Sequence, residues 1–161
     1  MNTRKLTYSA MLTAIGVATS SLIYIPVGAS KCFPVQHLIN VIGAVTLGPF
    51  YGVAMAFCIS AIRNILGTGT LLAFPGSMIG ALLAGLIYKY TKNNLLTVLG
   101  EIFGTGVLGA LLAYPVAAFI LGKKAALFAY ILPFSISTIG GSLIAYILLT
   151  VLKKTRILKS I

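Results

Sequence analysis

Apolar residues run through this chain in long blocks, separated by short clusters of polar residues, glycine and proline. A helical crossing of a bilayer needs about 20 mostly apolar residues, sometimes as few as about 17. Six blocks read as such crossings: residues 6–25, ending at Pro26; 37–47; 50–66, after "LGP"; 76–90; 95–121; and 126–152. The second and fourth are short, so they must tilt little, thin the bilayer or be partly covered by neighbours. No linker is long enough for a soluble domain, and no span repeats another. The expectation is an all-α integral membrane protein, one domain over residues 1–161, folded as a compact bundle of six transmembrane helices.

Composition supports lipid as the solvent. The chain is 59% hydrophobic and 8% charged, against about 25% charged in a typical soluble domain. Twelve Lys and Arg face a single acid, for a net charge of +11. Nucleic acid is not the expected partner, because the basic residues sit at the ends of apolar runs and form no patch interleaved with aromatics. They serve orientation instead. With the N-terminus cytoplasmic, Arg4, Lys5, Lys89, Lys92, Lys153, Lys154, Arg156 and Lys159 fall inside, and Lys31, Arg63, Lys123 and Lys124 outside. That bias puts both termini in the cytoplasm. "MNTRK" and "VGAS" faintly resemble a signal peptide, but the apolar stretch between them is long and rich in Thr and Ser, so a retained span is expected.

Several chemistries are disfavoured. Cys32 and Cys58 match no metal spacing, and no disulfide is expected. "GTGTLLAFPGS" lacks the Gly-Lys-Ser/Thr ending of a phosphate loop, so energy for transport would come from another protein. His37 has no nearby ligand for a metal. The sole acid, Glu101, is placed near the opposite face from His37, which leaves no Ser–His–acid set. Glu101 lies early in the fifth span and is expected to face the interior, in a structural or partner-coupling role, in substrate contact or in proton coupling. Gly100, Gly104, Thr105 and Gly109 around it make a close-packing face.

Polar residues gather towards the outer side. In "SKCFPVQHLIN", His37 and Asn40 are three apart and share a helix face. Arg63 and Asn64 end the third span, where the arginine either snorkels to the headgroups or faces a polar cavity. Gly67 and Gly69 allow the next loop to fold back. Phe74 leads into the fourth span, with Ser77 on its first turn. Tyr114 falls in the outer half of the fifth span, and "PFSISTIGGS" gives the sixth Ser135, Ser137, Thr138 and Ser142. Such hydroxyls bond their own backbone by default; their convergence with the other polar groups suggests a pocket. In the first span, Ala10, Ala14 and Ala18 form a stripe with Gly16 off it. That stripe is either an internal seam or a docking face.

"AMLTA" and "AIGVA" in span one, "LGPFYG" after span two and "FPGSMIGALLAGLIYKY" in span four resemble the substrate-binding S components of energy-coupling factor (ECF) vitamin transporters. "IPVGASKCFPVQHLINV", "IRNILGTGTLLAFPGSMIGALLAG" and "GEIFGTGVLGALLAYP" are similar to the ThiW-type subfamily, assigned to the thiamine precursor 4-methyl-5-(2-hydroxyethyl)thiazole. The resemblance covers nearly the whole chain. It implies a non-enzymatic capture subunit in a bacterial plasma membrane, without a cofactor. It also implies docking through Ala10, Ala14 and Ala18 onto a transmembrane coupling (T) protein served by two cytoplasmic ATPases.

For such a ligand, Phe33, Phe74 and Tyr114 could stack, and Gln36, His37, Asn40, Asn64 or Ser137 could hydrogen-bond. Arg63, Ser77 and Thr138 complete the candidate set. The lack of an outer acid argues against a cationic ligand such as thiamine, while Arg63 and Lys31 leave an anionic one open. The alternatives are an S component for another vitamin, an intramembrane enzyme and a ligand-free structural membrane protein.

Overall fold

A computed structural model describes residues 3–20, 22–27, 30–123 and 126–154. Lys124, Arg156 and Lys159 of the charge count, and Gly28 and Ala29 of "VGAS", lie outside the described residues. The helices are α1 (Thr3–Ser20), α2 (Pro34–Leu47), α3 (Pro49–Ile65), α4 (Ala73–Thr91), α5 (Asn94–Ile120) and α6 (Ile131–Lys154). Of these, α5 and α6 are long and apolar enough to cross a bilayer, while α2 and α3 are shorter apolar helices.

Two boundaries depart from the apolar blocks. Helix α1 stops at Ser20, and the block's end becomes part of an antiparallel hairpin of β1 (Ile25–Val27) and β2 (Ser30–Cys32), with Ile25 opposite Cys32 and Val27 opposite Ser30. A chain expected to be all-α therefore carries a small two-stranded element. The ladder satisfies backbone groups that a helix broken at Pro26 would leave unpaired. The sixth helix starts at Ile131, not near residue 126, because residues 127–130 turn, with Ile131 N–H donating to Phe128 O.

Local chemistry sets the other ends. Pro34 and Pro49 open α2 and α3, where a missing N–H costs nothing. Between α2 and α3 stands only Gly48, at φ +92°, a conformation that glycine adopts without strain. Asn93 caps α5 by accepting from the N–H groups of Leu95 and Leu96.

The short α2 is covered by neighbours rather than exposed. It packs against α1, α3, α4 and α6, and nine of its residues, from Pro34 to Leu47, are buried. Ile39 and Leu47 join Met55 and Ile59 on the α1 and α3 side. Val41 meets Val98, Ala145 and Leu149 of α5 and α6. Large apolar side chains such as Phe50, Ile65 and Phe119 stay more than four-fifths exposed, a surface suited to lipid.

Helices α4 and α5 touch backbone to backbone. A Cβ on Gly104 would lie 2.9 Å from Gly80 Cα, and one on Gly109 would lie 2.5 Å from Gly76 Cα. The two glycines are four residues apart on α4 and five apart on α5. Residues 104–109 form a wide π-type turn. Its extra residue keeps both glycine pairs face to face along antiparallel helices. Pro115, without an amide hydrogen, precedes a second such turn at Val116–Ile120.

Candidate binding site

The hairpin, the starts of α2, α4 and α6 and the ends of α3 and α5 collect at one end of the bundle. There they surround a cavity of about 540 Å³, within the range of small-molecule sites. Tyr24, Phe33, Tyr130 and Phe134 give it aromatic walls, and Gln36, His37, Arg63, Ser77 and Ser137 give it polar groups. Lys31 and Lys123 line it too, and no carboxylate does.

Arg63 turns inward and is 1% exposed, which selects the polar-cavity alternative over snorkelling. Its Nη1 donates to Gln36 Oε1 at 2.7 Å and its Nη2 to Thr68 O at 3.0 Å. The guanidinium carbon lies 4.0 Å from the Phe33 ring centroid, a cation–π contact. Gln36 Nε2 donates to Ser60 Oγ at 2.9 Å, and Ser60 Oγ lies 3.1 Å from Ser77 Oγ. One polar chain thus ties α3, α2 and α4. The loop after α3 folds back onto this chain. Thr68 and Gly69 N–H groups donate to Arg63 O, and Gly67 makes the reversal at φ +70°.

The hairpin is latched across the cavity to α6. Cys32 Sγ donates to Pro133 O at 3.1 Å, and Phe33 N–H donates to Ser137 Oγ at 2.8 Å. Burial pushes the Cys32 thiol above its ordinary pKa.

Beneath the cavity the structure overturns one expectation outright. His37 and Glu101 do not lie near opposite faces. His37 Nδ1 is 3.0 Å from Glu101 Oε1, with Glu101 completely buried. Asn40 Nδ2 donates to the same oxygen at 3.0 Å and Thr105 Oγ1 at 3.2 Å. The reason is depth. Helix α2 has 14 residues, about 21 Å, and α5 has 27, about 40 Å. The hairpin occupies the cavity end of the connection between α1 and α2, so α2 begins below it in the bundle. His37 stands about 15 Å from the Leu47 end of α2 and Glu101 about 10 Å from the Asn94 end of α5.

Of the candidate binding residues, Phe33, Gln36, His37, Arg63, Ser77 and Ser137 line the cavity. The others do not. Asn40 sits behind the floor, bonded to Glu101 and Ser77 O. Asn64 braces the loop through Ser60 O and Thr70 O. Phe74 packs on Phe57, ring centroids 5.6 Å apart. Tyr114 lies off the lining on α5, and Thr138 is fully buried within α6. Sequence reasoning passed over Tyr130 and Phe134, although their four-residue spacing puts them on one face. It also missed Leu72, which carries no chemical signal of its own, while Gly67 and Gly69 marked the loop as able to fold back but not as cavity lining. On α1, Ala10, Ala14 and Ala18 are all exposed while Gly16 faces the bundle. The stripe is therefore not an internal seam.

Among protein-family models, the one described as Thiamine-precursor transporter protein (ThiW) matches residues 6–155. No curated protein and no solved structure matches.

Proposed function

The chain belongs to the ThiW family of thiamine-precursor transporters, and from that premise we propose that it is the substrate-binding S component of an ECF-type transporter, capturing hydroxyethylthiazole at the outer face. As a member of a transporter family it is not an enzyme. The observation that carries the proposal is the aromatic-walled cavity under the hairpin, with a few inward polar groups and no carboxylate. It suits a small, flat, neutral heteroaromatic alcohol. In this reading six helices span the membrane with both termini inside, and the hairpin faces outward. Ala10, Ala14 and Ala18, exposed and small, offer a coupling protein close backbone approach. Two cytoplasmic ATPases then drive release.

Thiamine fits the lining less well. Its thiazolium cation would meet Arg63, Lys31 and Lys123 without a counter-charge. The same three cations favour a second reading, an anionic form of the precursor such as its phosphate ester.

Purifying the protein alone, identifying the small molecule that accompanies it, and titrating thiazole alcohol, its phosphate and thiamine tests the proposal. Alcohol binding tighter than thiamine is expected. Failure to bind any of the three, with tight binding of an unrelated vitamin, would sink the substrate assignment.

A further inference from the structure

The chain has one histidine and one acidic residue, and the fold pairs them under the cavity floor. His37 Nδ1, Asn40 Nδ2 and Thr105 Oγ1 converge on Glu101 Oε1, with the Thr105 hydroxyl also 3.2 Å from Gly76 O. Oε1 accepts from the Asn40 amide N–H, which can only donate, at 3.0 Å. Its twin, Oε2, is buried and has no hydrogen-bond partner among the described residues. A carboxyl proton placed there would have nothing to donate to. A proton shared by the pair on His37 Nδ1 lets Oε1 accept from its neighbours and asks nothing of Oε2.

In a neutral imidazole, a proton on Nδ1 leaves Nε2 as a bare acceptor. His37 lines the cavity, and among the described residues its ring hydrogen-bonds at Nδ1. The geometry points to His37 Nε2 as the acceptor that reads a donor group on the ligand, held in that tautomer by Glu101 as a positioning residue. Resting on the substrate proposed above, the donor is the hydroxyl of the hydroxyethyl arm.

A binding orientation follows. The thiazole nitrogen only accepts, so a bare Nε2 cannot serve it. The arm must point down to α2 and the ring up towards Phe33 and Phe134. Ser137 supplies the complementary donor. Its Oγ already accepts Phe33 N–H at 2.8 Å, which leaves its O–H free to donate to the ring nitrogen. The cavity thus discriminates by a hydroxyl acceptor at the floor and a hydroxyl donor at the hairpin end.

Because there is one histidine, labelling the wild-type protein with nitrogen-15 histidine gives a single pair of ring resonances. The expected spectrum shows a protonated Nδ1 and an unprotonated Nε2. Nε2 should shift on adding 4-methyl-5-(2-hydroxyethyl)thiazole and stay in place with 5-ethyl-4-methylthiazole, which lacks the hydroxyl. In binding assays the wild type should prefer the alcohol by about 5- to 150-fold, the effect of leaving a buried polar group unpaired. That preference should collapse in His37→Phe and shrink in Glu101→Gln. A proton on Nε2 in the ligand-free protein overturns the assignment whatever binds. Equal weakening of both ligands in the variants, with the ratio kept, also overturns it, since a purely structural dyad would act that way. If the expected tautomer is found and neither thiazole binds, the substrate proposal falls while the assignment of His37 as acceptor stands.

Discussion

Replacing Arg63 with methionine tests whether the cavity selects against positive charge. The variant removes the guanidinium and keeps an unbranched apolar stem beneath Phe33. A thiazolium stacked on the far face of Phe33 would lie about 3.5 Å beyond the ring, and Arg63 lies 4.0 Å on the near side. The two charges are then about 7.5 Å apart, and at an effective dielectric constant of about 20 they repel by about 2.2 kcal/mol. That is a factor of about 40 in affinity, and the neutral thiazole alcohol experiences none of it. Methionine also strands Gln36 Oε1 and Thr68 O, at about 1–3 kcal/mol each, so the variant should melt lower and bind everything somewhat more weakly. The informative quantity is therefore the ratio of alcohol to thiamine affinity, measured by calorimetric titration of purified protein. This shared cost cancels in the ratio. We predict that the ratio falls by about 40-fold in Arg63→Met. A ratio within about threefold of wild type, with both ligands still measurable, would show that Arg63 only pins the loop and that the charge argument is wrong.

Three further outcomes are expected. Ala14→Trp should abolish uptake in cells carrying the coupling module while leaving ligand affinity intact, because Ala14 is exposed; an equal loss of binding would contradict the docking role. Gly80→Ala should cost about 1–3 kcal/mol of stability in a thermal melt, since its Cβ would run into Thr105 Oγ1 and the Glu101 carboxylate; an unchanged melt would contradict the α4–α5 contact. In a Cys58→Ser background, Cys32 should react slowly with maleimide at neutral pH. Burial raises its pKa, so the thiolate fraction, and with it the rate, climbs only above the ordinary thiol range. Rapid labelling at neutral pH would show that the hairpin does not cover the thiol.

The helical bundle was legible in the chain because apolar blocks, glycine–proline breaks and the scarcity of charge are local properties that lipid reads directly. The pocket was legible in outline for the same reason. Phe33, Gln36, His37, Arg63 and Ser77 stand out as polar or aromatic residues beside block ends, Ser137 belongs to a hydroxyl cluster within its block, and all of them line the cavity. Asn40, Asn64, Phe74, Tyr114 and Thr138 carry the same local signal yet point elsewhere, since the face that a helix turns inward depends on which neighbours pack against it. Gly67 and Gly69 marked residues 67–70 as a loop able to fold back, but nothing there marked it as cavity lining.

Depth was the property that only the tertiary structure decided. Counting residues from block ends assumes that every helix starts at one level. The hairpin breaks that assumption by starting α2 deep in the bundle, and the π-type turn at residues 104–109 adjusts the register of α5 on α4. Together they seat the chain's one acid against its one histidine. Sequence alone determined that this protein lives in lipid and gathers polar groups at one end. Packing determined which of those groups meet, because vertical offset and helix rotation are set by contacts between segments distant in the chain.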